Sequence, residues 1–228
     1  NRLFSNRHEV TAMLLANRGN RTVNNELAYH SQGITGRFAY YYNQKYLMEF
    51  NFGYNGTERL GKGDRFEFFP AVSLGWLVSN EKFFEPLSDV VSSLKLRGSY
   101  GLVGSDETGP SGAPHFLYID QVQVTGNGRP GFTTGENLNV SYYGPVVQQW
   151  AVQNGGWERV KKLDVGFDME LFRELSITFD FFYDKRYNIL LHREAWPQSL
   201  GFHGAKPWSN KGKVDNWGYE VSTNWRKQ

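Results

Sequence analysis

The chain has 228 residues, and 25 Lys+Arg against 23 Asp+Glu leave a net charge of +2, too small to point to nucleic acid or an anionic surface as partner. Zero cysteines exclude a disulfide framework, a thiolate metal site and a thiol nucleophile, while 16% aromatic residues and 25 glycines favour strands and tight turns over helical bundles. No apolar run approaches the roughly 20 residues of a membrane helix, so any crossing of a bilayer would use strands of about 9 to 11 residues with alternate ones apolar.

In chain order, the first alternation covers residues 8–17, with Val10, Ala12, Leu14 and Ala16 in step. The second covers 35–42 (Gly36, Phe38, Tyr40, Tyr42). The third, 46–55, sets Tyr46, Met48, Phe50, Phe52 and Tyr54 against Leu47, Glu49, Asn51, Gly53 and Asn55. Residues 69–78 follow with Val72, Leu74, Trp76 and Val78. A short helical piece is expected over 80–91, then a strand over 94–103 (Leu96, Tyr100, Leu102). The last three strands cover 162–171, 175–184 and 217–225. Across 46–55, 162–171 and 175–184, fifteen apolar-face positions carry no charge and fifteen opposite positions carry seven. Strand parity places Glu49, Asn51, Lys95, Arg97, Asp164, Asp168, Asp180 and Glu220 on the polar face.

The links sort by length. Residues 43–45 and 172–174 are tight turns and 79–93 a medium link, all at one end. The links 18–34, 56–67, 104–160 and 188–216 are long, rich in Gly, Asn, Ser and Pro, and alternate with the short ones. An up-and-down meander with short turns on one rim and long loops on the other is the pattern of an all-β, antiparallel transmembrane β-barrel; Greek-key sandwiches have no reason to sort loops this way. Tyr41, Tyr42, Tyr46, Trp76, Phe83, Phe84 and Phe172 fall beside the short links, where an interfacial aromatic girdle is expected.

Motifs that spell chemistry lack its context. Residues 126–131 (Gly-Asn-Gly-Arg-Pro-Gly) match GxGxxG, but no helix follows and Pro130 interrupts the run. The histidines His8, His30, His115, His192 and His203 are scattered, with no pair at metal-ligand spacing. Asp164, Asp168 and Glu170, on one strand face, could supply a glycosidase pair, but charges opposite an apolar face are what a water-filled lumen calls for. No catalytic residue, metal or cofactor is expected. Six aromatics, Tyr142, Tyr143, Trp150, Trp157, Trp196 and Trp208, sit in long links; such rings suit stacking on a sugar or gripping a protein, and equally pack loops together.

The run 36–56, from Gly36-Arg37-Phe38 through Tyr46-Leu47-Met48-Glu49-Phe50-Asn51-Phe52-Gly53-Tyr54, resembles the barrel of SusC/RagA-type TonB-dependent outer-membrane transporters of Bacteroidetes. Residues 69–76 with 79–84, the run 94–101, Trp157-Glu158-Arg159 leading into 163–168, and 216–221 are similar to further stretches of that family, in its order. The resemblance implies a portion of a barrel of roughly 22 strands with short periplasmic turns and long extracellular loops. It further implies residence in the bacterial cell outer membrane among its lipids and a SusD-like surface lipoprotein lid. Such a transporter imports oligosaccharides or peptides, driven by the TonB complex. On this reading residues 1–228 are a partial barrel from the C-terminal half, lacking the plug domain and the TonB-contacting N-terminal segment. Two alternatives stay open: a self-contained small barrel serving as adhesin or structural protein, and a soluble carbohydrate-binding β-sandwich.

Overall fold

The computed structural model describes residues 2–4, 7–22, 28–107, 116–124, 130–152, 155–192 and 208–226. Trp196, His115, His203 and most of the glycine-rich run (126–129) lie outside the described residues.

Strands dominate: β1 (Arg2–Phe4), β2 (His8–Arg21), β3 (Tyr29–Tyr42), β4 (Tyr46–Thr57), β5 (Phe66–Leu77) and β6 (Val91–Ser105) come first. Four short strands occupy the long link: β7 (Gln121–Gln123), β8 (Pro130–Thr134), β9 (Val140–Tyr143) and β10 (Val146–Gln149). β11 (Glu158–Leu171), β12 (Leu175–His192) and β13 (Trp208–Trp225) complete the chain. Nine strands form one antiparallel sheet in the order β1-β2-β3-β4-β5-β6-β11-β12-β13, and β7 with β10 and β8 with β9 make two small ribbons. Every strand of the large sheet pairs with its neighbour along the chain once the β7 to β10 insertion is set aside. Among the described residues the sheet is open, with β1 and β13 as its edges.

The eight alternating segments of the sequence are the eight long strands. Several extend further than alternation suggested. β12 and β13 stay paired up to His192 and Trp208, well past residues 184 and 217. Beyond Tyr183 the outward positions become Lys185 and Tyr187 and the register shifts between Tyr187 and Leu190, so the strict apolar-polar alternation ends.

The two tight turns share a backbone. Asn43 and Gln44 have φ of 51° and 53°, Phe172 and Arg173 have φ of 55° and 59°. Lys45 N donates to Tyr42 O at 2.9 Å and Glu174 N to Leu171 O at 3.0 Å. Each is a three-residue link whose first two residues are left-handed and whose third closes the hydrogen bond back to the preceding strand. The medium link holds two 3₁₀ turns, Val78–Asn80 and Lys82–Leu87, where one short helix was expected. Pro86 sits inside the second.

Register makes each face a set of continuous rows. Ala12, Phe38, Phe50, Val72, Tyr100, Leu163, Tyr183 and Trp217 are mutual partners across eight strands. This row is slanted against the rim: it lies four residues from the turn in β4 (Phe50 to Tyr46) and eight in β12 (Tyr183 to Leu175). Strands that lean relative to the rim, as in a barrel wall, give that slant.

Among the described residues no second layer covers the sheet. Leu14, Leu74 and Val221 on the apolar face are 73%, 58% and 61% exposed, and no large side chain among the described residues falls below 2% exposure. Buried apolar groups gather instead at the long-loop end. Leu60, Phe69 and Trp157 form one cluster with Leu102 against it, and Leu117, Val152 and Leu190 form another with Trp208 against it.

Candidate functional site

The polar face of the sheet carries the candidate residues. All eight (Glu49, Asn51, Lys95, Arg97, Asp164, Asp168, Asp180 and Glu220) lie on it by register, five of them in two adjacent rows. One row runs Gly75, Arg97, Gly166, Asp180, Glu220, and the next Leu77, Lys95, Asp168, Thr178, Ser222. Strand alternation puts them there: each sits one residue from an outward apolar side chain.

Two groups come together. Arg97 Nη2 lies 2.7 Å from Asp180 Oδ2 and 3.5 Å from Asp168 Oδ1, and Thr178 Oγ1 donates to the same Asp168 oxygen at 3.2 Å. Three strands away, Glu49 accepts from Arg37 Nη2 at 2.6 Å and from Asn51 Nδ2 at 2.7 Å. Lys95, Asp164 and Glu220 make no ion pair among the described residues. Lys162 with Asp184 at 3.2 Å extends the charged face. These side chains are half-exposed, so each pair contributes about 1 kcal/mol or less to stability. Their effect is chemical: they line one face with alternating charge that water can wet.

Sequence reasoning missed three participants. Arg37 and Lys162 occur at polar-face parity, and only the register supplies their partners Glu49 and Asp184. Gly166 is the third: it stands between Arg97 and Asp180 in the row, and a Cβ there would strike the Asp180 carboxylate and the Phe179 carbonyl. The bare position lets the arginine pass over β11 to reach β12. Its signal in the sequence was a glycine flanked by Asp164 and Asp168 in otherwise strict alternation.

The opposite face is apolar and exposed, and its ends are marked. Tyr42 stacks on Tyr46 and Tyr46 on Trp76 (centroids 6.3 Å apart in each case), with Phe83 edge-on to Trp76 at 6.4 Å. This row follows the short-turn rim. Tyr41, expected in the same girdle, departs from it: its register partners Glu9 and Leu47 place it on the polar face, because strand parity overrides adjacency in sequence. Phe84 is buried and Phe172 exposed. At the other end the outward face turns polar at Arg18, Gln32 and Lys161.

The loop aromatics divide. Tyr142 stacks on Phe132 (4.8 Å, 14°) and is exposed, as are Tyr143 and Trp150. Trp157 corrects the expectation of an available ring: it is 6% exposed, packed edge-to-face on Phe69 at 5.3 Å and against Leu60. Trp208 is half-buried against the Leu117, Val152 and Leu190 cluster. These two rings fold the long loops over the strand ends instead of presenting a surface. The same end holds a His30 and Glu58 pair, Nδ1 to Oε2 at 2.7 Å, whose hydrogen bonds keep the Glu58 carboxyl below the usual carboxylate range.

Known proteins share this arrangement. No family model matches the chain. It is 32% identical over 192 residues to TonB-dependent receptor P39 of Formosa agariphila, covering 83% of this chain and 16% of that protein. It is 28% identical over 190 residues to TonB-dependent receptor SusC of Bacteroides thetaiotaomicron, covering 83% of this chain and 18% of that one. The structure of the RagAB peptide importer superposes with a TM-score of 0.72 at 19% identity, over 97% of this chain and 26% of that chain. The chain spans less than a fifth of the length of the relatives it matches. In sequence and in fold, it matches a segment of the barrel of SusC/RagA-type TonB-dependent transporters.

Proposed function

We propose that the chain forms part of the barrel wall of an outer-membrane, TonB-dependent nutrient importer of the SusC type. One observation carries this reading: a single sheet layer with an unpaired apolar face on one side and a charge-paired polar face on the other. In water such a face needs a second layer to cover it. Lipid supplies that cover, and a hydrated lumen or a plug satisfies the other side. Nine residues from Leu163 to Leu171 hold an uninterrupted outward apolar file, about the length a tilted strand needs to cross the hydrocarbon. Among the described residues β1 and β13 do not pair with each other to close the sheet and no second sheet packs on the first, which favours this reading over the small closed barrel and the soluble sandwich.

In this reading Glu49, Asn51, Lys95, Arg97, Asp164, Asp168, Asp180 and Glu220 line the lumen or meet a plug, and no residue performs covalent chemistry. Tyr142, Tyr143 and Trp150 are the exposed rings available to a SusD-like lipoprotein or to substrate on the outer side. The cargo class is an oligosaccharide or a peptide, captured at the long-loop end and admitted when TonB pulls on a plug.

The test is the mass of the native polypeptide in a detergent-solubilised outer-membrane fraction, with mass spectrometry of what co-purifies. A chain several-fold longer, accompanied by a lipoprotein, supports the importer. A chain of this length found alone overturns it.

A further inference from the structure

The outward face carries a cavity at the limit of its apolar band, and the polar-face reading does not use it. Register runs Ala16, Ile34, Tyr54 and Phe68 as the last apolar row on β2 to β5, and Arg18, Gln32, Gly56 and Phe66 as the next row toward the long loops. There a pocket of about 260 Å³ opens, with Arg18 and Arg65 on its walls and His30 and Glu58 at its far end. It exists because Gly56 has no side chain: a Cβ there would strike the Phe66 ring, which lies across the glycine as the floor.

The charges in this pocket are unequal. Glu58 Oε2 is taken twice by His30, from its ring Nδ1 at 2.7 Å and its backbone N at 3.0 Å. Arg65 Nε donates to Leu60 O at 3.3 Å and its charge acts on Glu58 without a direct ion pair among the described residues, and Arg18 has no partner among them. Two guanidinium groups therefore line a cavity whose one carboxylate is engaged by His30 and offsets Arg65 alone, which leaves the charge of Arg18 uncompensated. A guanidinium is suited to a phosphate, which it binds through two parallel N–H donors. The ligand would have to approach along an apolar surface, because Ala16, Ile34, Tyr54 and Phe68 lie directly below the opening. A molecule with hydrocarbon at one end and phosphate at the other fits both features.

We propose that this cavity binds the phosphate of an outer-leaflet membrane lipid, its acyl chains lying on the apolar rows below. This rests on the reading of the sheet as an outer-membrane barrel wall with its long loops outside.

The test uses the native polypeptide, purified in detergent and stripped of lipid, with lipid A and dephosphorylated lipid A as probes and retention read by native mass spectrometry. Lipid A should be retained in preference to its dephosphorylated form. Arg18→Gln, which removes no hydrogen bond among the described residues, should cut that preference about fivefold, as loss of one basic group near a charged surface implies. Lys161→Gln, at the same limit of the apolar band but across the sheet on β11, should leave it unchanged and so report that the barrel is folded. Equal retention of the two lipids, an undiminished preference in Arg18→Gln, or displacement by millimolar inorganic phosphate would each overturn the lipid site, the last by marking a free-anion site. Failure of the barrel reading shows separately, as recovery of the polypeptide without detergent.

Discussion

Lys45, the last residue of the turn between β3 and β4, donates from Nζ to Glu81 Oε2 at 2.8 Å, joining that turn to the next connection along the rim. Tyr46 Oη donates to the other carboxylate oxygen at 2.7 Å, and Trp76 Nε1 reaches it at 3.4 Å. Asn80 Nδ2 donates back to Gln44 O at 2.8 Å. One carboxylate thus organises the rim and orients two rings of its aromatic girdle.

The Lys45 hydrogen bond first, then that of Tyr46, hold the Glu81 carboxyl below its ordinary value of about 4.5. A carboxyl lowered by folding stabilises the native state above that ordinary value, and the contribution is lost as pH falls through the lowered one. The wild type should therefore lose more stability than Glu81→Gln on acidification below about pH 4.5. Detergent melting curves followed by heat-modifiable gel mobility give the comparison, and parallel curves would refute it.

Gly166 predicts a non-additive pair. Gly166→Ala should destabilise the sheet by about 1 to 3 kcal/mol, the range for forced overpacking. Once Arg97→Ala frees Asp180 to turn away, part of that cost should vanish. A double-mutant cycle from urea unfolding in detergent checks it, and strict additivity would mean that the backbone of β12, and not the ion pair, bears the clash.

The two faces should answer oppositely to the same charge. Phe50→Arg on the apolar face should cost roughly 2 to 4 kcal/mol in a bilayer, whereas Asn51→Arg, one residue along and on the polar face, should be tolerated. Refolding into vesicles from urea measures both. Equal losses would count against lipid on one side and water on the other.

Trp157 should matter more than its neighbours in the long link. Trp157→Ala empties a site shared with Phe69 and Leu60 and should cost about 3 kcal/mol or more in local stability. Protease nicking of the link between β6 and β11 should accelerate, while exposed Tyr143→Ala leaves it unchanged.

How far the sequence could be read follows from where each strand runs. Leu163 to Leu171 and Tyr46 to Tyr54 keep one apolar and one polar face, so alternation located them and their parity. Past Tyr183, Lys185 faces Asp215 and the register shifts between Tyr187 and Leu190, so the strand is invisible to a period of two although Leu190 is buried. The polar-face residues were legible as a set, but their pairing was not: Arg97 reaches Asp180 only because the register brings Gly166 between them, and no spacing along the chain encodes that. Trp157 could be read as a binding ring or a packing ring, because composition reports only that a ring is present, while its burial depends on Phe69, 88 positions earlier in the chain.

The meander has a consequence for how the sheet is built. Each long strand finds its partner in the strand made just before it, so pairing can advance as a zipper, each hairpin templating the next, with only modest loops to close. One step breaks this rhythm. β11 must dock on β6 across more than 50 intervening residues, which fold their own ribbons, β7 with β10 and β8 with β9. That docking is the expected slow step of assembly, and the small ribbons shorten the effective distance the chain must span.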